Sequence, residues 1–304
     1  MKQFTVWIQA CRLRTLPLAA SSIIVAGGLA VQHHVFHLNV FLLALVTALL
    51  LQILSNLAND YGDDVTGADA HRIGPDRAMQ SGMVSHAAMK RAIMLLVLAC
   101  LISGLLLLNT AFDGDLVHWL FFLALGAVAI LAAITYTMGK VPYGYRALGD
   151  LAVFLFFGLL GVLGSFYLQA LTLPLAIFWP AASLGLFSAA VLNINNMRDV
   201  YQDKAANKIT LVVLFGREKA FIYHLLLLTT ALLCSVIYIY QLDHTETWQY
   251  LFVLIASPLL KSCIAISNEI KKDSQDGVVF NEQLKNTAVS TFVFSLLFAI
   301  VLIA

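Results

Sequence analysis

The chain has 304 residues, of which 61% are hydrophobic and only 12% charged, with a formal net charge of +1. A soluble domain carries about a quarter of its residues charged, so this composition leaves too little polar surface to cover a globule and excludes a water-soluble fold. The net charge says little as a total; its placement along the chain carries the information.

Residues 2–15 hold Phe4, Trp7, Arg12 and Arg14 and read as a short interfacial amphipathic helix. The apolar run that follows ends in "AGGLA", but Arg12 and Arg14 lie deep for the basic head of a signal peptide, so the run is expected to stay as a first span. Crossing about 30 Å of hydrocarbon takes roughly 20 helical residues. Runs of that kind lie near 16–33, 38–58, 92–112, 117–138, 148–171, 174–195, 220–240, 248–267 and 286–304. They are continuously apolar rather than alternating, which predicts helices, not strands.

The second run leads straight into "SNLANDYGDDVTGAD", residues 55–69. If its helix continues, Asn56, Asn59, Asp60 and Asp63 fall at i, i+3, i+4 and i+7, on one face. Between spans four and five comes "TYTMGKVPYGYRALGD", residues 135–150. There Lys140 and Arg146 can reach phosphate oxygens, and Tyr136, Tyr143 and Tyr145 can offer ring faces to a cation at about 0.5–2 kcal/mol per ring; an interfacial aromatic belt is the alternative for the tyrosines. The sixth run leads into "NINNMRDVYQD", residues 193–203, where Asn195, Asp199 and Asp203 fall at i, i+4 and i+8. The match of Asn59–Asp63 with Asn195–Asp199 suggests two related halves offset by four helices, and paired polar helix ends are where such membrane folds place a site.

The 18 Lys and Arg residues avoid the loops at 34–37, 113–116, 172–173 and 241–247 and all fall on the opposite side. The positive-inside rule makes that side cytoplasmic, with the N-terminus inside and the C-terminus outside. Cys11, Cys100, Cys234 and Cys263 are far apart with no CxxC pair, so neither zinc nor a redox couple is indicated. Asp113, Asp115, Asp243 and Glu246 read as solvated external charges.

An aspartate at the centre of a membrane helix costs about 2.5–3.5 kcal/mol on insertion scales, and such acids are functional by default. Crowded carboxylates take up protons unless cations sit among them. Oxygen-only donors select hard Mg²⁺ or Ca²⁺, and Mg²⁺ characteristically joins carboxylates to substrate phosphates. Arg72 and Arg77 follow the first cluster, and Arg198, Lys204 and Lys208 accompany the second. Acids alone would suit a cation transporter or channel; acids interleaved with bases suit a metal-bridged diphosphate.

These residues resemble the UbiA superfamily of intramembrane prenyltransferases over essentially the whole chain. "NDYGDDVTGAD", "RIGPDRAMQSG", "PYGYRALGD" and "NNMRDVYQDKAANKITL" are most similar to its menaquinone-pathway members. The resemblance implies one all-α polytopic domain, residues 1–304, with nine transmembrane helices around a central cavity in a bacterial inner membrane and its active-site loops on the cytoplasmic side. It implies two Mg²⁺ ions held by Asn59, Asp63, Asp69, Asn195, Asp199 and Asp203. Gly67 stands at the usual spacing of the third acid of the first motif, and Asp69 comes two residues later. Asp63, Asp199 and Lys140 would be catalytic, with Arg72, Arg77, Lys140, Arg198 and Lys208 on the diphosphate; the family's "GK" is "NK" here. Tyr136, Tyr143 and Tyr145 would shield the allylic cation or face the acceptor. The implied partners are polyprenyl diphosphate, 1,4-dihydroxy-2-naphthoate and the lipid bilayer, with no nucleic acid; 4-hydroxybenzoate is the alternative acceptor.

Overall fold

The computed structural model describes residues 2–67, 77–242, 246–272 and 277–304, with the side chains of residues 2–4 left aside. Asp69, Arg72 and Asp243 lie outside the described residues. Everything described is helix, turn or loop, apart from one isolated bridge between Arg146 and Ile209. Nine helical segments among the described residues are long and apolar enough to cross a bilayer, as the apolar runs predict.

The chain opens with α1 (Lys2–Cys11), which packs Val6 and Ala10 in one cluster with Leu54 and Leu57. The first span, α2 (Leu16–Gln32), follows after a turn at Arg12. Next comes α3 (Leu38–Thr66), which runs without a break from the apolar stretch through the first acid cluster. It stops where Gly67 takes φ 75°, the left-handed C-cap that glycine adopts without a Cβ penalty. Ser85 caps α4 (His86–Ala111), its hydroxyl accepting from Ala88 N–H at 3.3 Å. In the same way the Asp115 carboxylate accepts from the N–H groups of Val117 and His118 and so caps α5 (Leu116–Thr135). Asp115 is exposed, as a solvated charge should be, and it also satisfies orphan donors of a helix end, which the sequence pattern alone does not reveal.

The remaining elements are α6 (Gly149–Ala170), α7 (Phe178–Ala205), the short α8 (Leu211–Phe215), α9 (Arg217–Tyr240), α10 (Thr247–Lys271) and α11 (Val278–Ile303). The middle of α6, Phe154–Gly164, is π-helical, an irregularity that frequently marks functional helices. It lies against α7 at glycine: a Cβ on Gly158 would stand 2.7 Å from the Cα of Gly185. The largest core joins α2, α6, α7, α9, α10 and α11 around Phe166, Phe187, Phe252, Phe294 and Phe298. Many large apolar side chains remain outside that core, among them Leu95, Leu120, Phe121 and Leu226. That outward face is what hydrocarbon solvates. The four cysteines are free, three of them buried, in keeping with small packing residues.

Candidate active site

Both acid clusters are helical, and the polar ends of α3 and α7 open on the same cavity. On α3, Asp63 is almost fully buried and each of its oxygens is engaged. Oδ1 accepts from the Tyr145 hydroxyl at 2.6 Å, and Oδ2 meets Nη1 of Arg77 at 2.5 Å. The same Arg77 nitrogen donates to the Asn59 carbonyl at 3.0 Å. Thr137 ties the 135–150 turn to this helix, its hydroxyl lying 3.0 Å from the Ala58 carbonyl and 3.1 Å from Oδ1 of Asn59. Only glycine admits that approach, because a Cβ on Gly62 would stand 2.6 Å from the Thr137 carbonyl oxygen.

On α7, Arg198 is the hub. Its Nε and Nη2 grip Asp199 at 2.6 and 2.5 Å, Nη2 also reaches Asn195 Oδ1 at 2.8 Å, and Nη1 donates to Asn281 of α11 at 2.7 Å. Asp203 receives Lys208 on Oδ1 at 3.2 Å, while its buried Oδ2 has no hydrogen-bond partner among the described residues. Lys208 also stands 5.4 Å from the centre of the Tyr145 ring. Burial alone would lower the pKa of its ammonium, but Asp63 and Asp203, with help from Tyr136 and Asp199, raise it well above the ordinary lysine value. Lys208 therefore stays charged and bridges the two clusters. Backbone pairing sets its place: Ile209 N–H donates to Tyr145 O at 3.1 Å and Ala147 N–H to Ile209 O at 2.7 Å.

Between these ends lies a cavity of about 460 Å³. Its polar end presents Asn59, Asp63, Arg77, Asn195 and Lys208, and its depth is walled by leucine, alanine and phenylalanine from α3 to α6. Tyr136 and Tyr143 line it edge to face, with ring centres 5.2 Å apart. Tyr143 donates to the Ala132 carbonyl at 2.9 Å, and burial pushes its phenol up to about 12. Burial also raises Tyr136 and Tyr145, so all three stay protonated near neutrality. An ionic head above a greasy pocket suits an amphiphile with an anionic head group.

The chain matches the UbiA prenyltransferase family over residues 20–281. It is also 45% identical, over 97% of its own length and 94% of the relative's, to a 1,4-dihydroxy-2-naphthoate octaprenyltransferase of Escherichia coli K12. The chain belongs to the UbiA prenyltransferase family. A protein of the same description from Haemophilus influenzae is likewise 45% identical, over 85% of this chain and 84% of that one. Among solved structures, a UbiA homolog from Archaeoglobus fulgidus bound to DMAPP and Mg²⁺ superposes with a TM-score of 0.57 at 16% identity, covering 96% of this chain and 98% of that chain. At that identity the likeness is one of fold.

Within this UbiA fold the structure gathers Asn59, Asp63, Arg77, Tyr136, Tyr143, Tyr145, Asn195, Arg198, Asp199, Asp203 and Lys208 at one end of the bundle. Asp69 and Arg72 lie outside the described residues. Lys140 sits exposed on its turn and does not line the cavity. Asn56, which helical spacing puts on the same face as Asn59 and Asp63, turns instead to the N-terminal segment and donates to Cys11 O and Thr15 Oγ1, both at 2.9 Å. Thr137 and Asn281 escape a sequence reading, since each acts through side-chain hydrogen bonds across the bundle, Thr137 to Ala58 and Asn59 and Asn281 to Arg198. The sequence pairs Arg12 with Arg14 at the interface; Arg14 is exposed, but Arg12 turns inward and lines the cavity.

Among the described residues no three carboxylate, imidazole or thiol side chains converge closely enough to enclose a metal ion. The donor set still fits a hard cation: it is all oxygen, and Asp203 Oδ2 is buried without a partner among the described residues. Arg77, Arg198 and Lys208 hold the carboxylates in the positions where a metal would otherwise balance their charge.

Proposed function

We propose that this UbiA-family chain transfers a polyprenyl group from polyprenyl diphosphate to 1,4-dihydroxy-2-naphthoate, with loss of the carboxylate as carbon dioxide and of diphosphate, giving the quinol form of demethylmenaquinone. The observation that carries this reading is the joining, in one cavity, of acids and bases at the polar end to an apolar depth able to take a prenyl chain. The acceptor rests on the two 45% identical relatives. A cation path would need charged steps through the whole bundle, and beyond the acid end the cavity wall is mostly apolar, with only scattered Ser, Thr and Gln.

Mg²⁺ is the expected metal, supported by the Archaeoglobus neighbour. Two ions would be held by Asn59, Asp63 and Asp69 on one side and Asn195, Asp199 and Asp203 on the other. When bound, they supply Lewis-acid charge at the leaving diphosphate. Arg77, Arg198 and Lys208 would then turn from their carboxylates to the diphosphate oxygens, with Arg72 and Lys140 as the further bases assigned to the diphosphate. As the allylic C–O bond breaks, the rings of Tyr136 and Tyr143 face the cation left behind, with Tyr145 behind them on Asp63. The apolar wall excludes water, so the electron-rich acceptor ring attacks instead, and its carboxylate departs as carbon dioxide.

Membranes containing the protein, given polyprenyl diphosphate, Mg²⁺ and either dihydroxynaphthoate or 4-hydroxybenzoate, are expected to yield only the decarboxylated naphthalene product by mass. A prenylated hydroxybenzoate of comparable yield would move the chain to the other acceptor.

The charge asymmetry further supports a cytoplasmic N-terminus and cytoplasmic active-site loops. Single cysteines at Ser81 and Lys204 should both label from the cytoplasm, and one at Asp113 only from outside. Opposite labelling of Ser81 and Lys204 would break the single-cavity arrangement.

A further inference from the structure

Arg198 has more partners than an arginine that only balances its neighbour needs. It is 2% exposed, and among the described residues its guanidinium makes four hydrogen bonds to three side chains. Two go to Asp199, one to Asn195 and one to Asn281. Asp199 and Asn195 are both assigned to a metal ion under the proposed function. Asn281 alone of the three stands outside the two motifs, in the opening turn of α11.

That turn is fixed against α7. Phe280 is fully buried in one cluster with Ile194 and Met197 of α7. Arg217, at the start of α9, lies over the rings of Tyr201 and Phe280, 4.7 and 4.9 Å from their centres. Its Nε donates to the Met197 carbonyl at 2.9 Å. Asn281, next to Phe280 in the chain, therefore meets α7 at a set place and accepts from Arg198 Nη1 at 2.7 Å. A neutral amide oxygen gives the guanidinium a partner without cancelling its charge.

Loading the site takes away Arg198's other partners. Once Asp199 and Asn195 turn to a metal ion, the buried guanidinium would stand bare, and an uncompensated buried charge is strongly penalised. We propose that Asn281 is the positioning residue that holds Arg198 through this exchange. Nη1 stays on the Asn281 oxygen while Nε and Nη2 swing from Asp199 to the diphosphate. The inference rests on the reading of the site as a metal-bridged diphosphate site. It adds the residue, outside both motifs, that allows Asp199 to be released.

The full chain in lipid nanodiscs is titrated with Mn²⁺, which accepts the same oxygen donors as Mg²⁺ and is read by EPR. At saturating Mn²⁺ it is then titrated with inorganic diphosphate. Asn281→Leu removes the acceptor and should weaken Mn²⁺ by about tenfold or more, the range of a hydrogen bond to a charged group. Asn281→Asp keeps the shape but grips Arg198 harder. It should tighten Mn²⁺, because Asp199 is freed, and weaken diphosphate by about tenfold, because Arg198 is not. A merely structural contact would not move the two affinities in opposite directions. Asn286→Asp adds the same charge at an exposed position of α11 and should leave both affinities at their wild-type values. Wild-type Mn²⁺ affinity in Asn281→Leu, shifts of the same sign in Asn281→Asp, or matching shifts in Asn286→Asp would each overturn the assignment. A wild-type chain that binds no Mn²⁺ would overturn it together with the metal-bridged reading. A chain that makes no prenylated naphthalene yet shows the opposed shifts would overturn the proposed acceptor and leave the role of Asn281 standing.

Discussion

Asp63→Asn and Asp199→Asn each lower prenyl transfer by about 10²–10³-fold, the usual loss when a preorganised electrostatic group is removed, whereas Asp113→Asn keeps the wild-type rate. Each substitution preserves the shape of the side chain and its acceptor oxygen but removes the charge a metal ion would share. The two acids are structurally equivalent in one respect: Asp63 is paired with Arg77 and Asp199 with Arg198, so either variant also removes the carboxylate charge from beside a buried guanidinium. Breaking such a pair from one side costs about 3–5 kcal/mol of stability, and the rates must be compared per folded protein. Asp113 is exposed in the loop between α4 and α5, so its substitution removes one charge without touching the cavity. Prenyl transfer at saturating Mg²⁺ decides the matter. Equal rates for all three variants would show that the clusters hold no metal.

Chelation by EDTA abolishes transfer, and Mg²⁺ restores it. The site's own charges give the reason. Among the described residues, Asp63, Asp199 and Asp203 are each paired with a base, Arg77, Arg198 and Lys208, so these three bases are engaged by the acids before a diphosphate arrives. A polyanion entering without metal would take the bases away from their acids and sit beside three bare carboxylates. Divalent ions remove that repulsion and add the positive charge the leaving group needs. With only oxygen donors, Mg²⁺ should rescue better than Zn²⁺. Undiminished turnover in metal-free buffer would falsify the metal-bridged arrangement.

Much of the fold is legible in the sequence. The apolar runs are long and uninterrupted, so the spans can be read directly; the helices differ chiefly in running on through the acid clusters to Thr66 and Ala205. The leading motif positions are legible because acids are rare in such a chain. What cannot be read is direction around a helix at fine resolution. Asn56 and Asn59 are three residues apart, yet one faces the N-terminal turn and the other the cavity. Arg12 and Arg14 look alike on paper, and only the left-handed turn at Arg12 separates them. Lys140 shows the opposite limit: its motif position is clear, but its turn holds the ammonium out in the open.

The backbone bridge between the tyrosine turn and Ile209 has an implication for how freely the sequence can drift. Lys208 links the two halves of the site, yet its neighbour holds the segment through main-chain N–H and C=O groups, and the Ile209 side chain is 45% exposed. Position 209 therefore constrains the lineage only through its amide. Any residue with an N–H keeps the ammonium where it is, proline alone being barred because it lacks the donor. A residue that links the two halves of the site thus stands beside one whose side chain is free to vary, and the segment that carries it is placed through main-chain groups that every residue but proline shares.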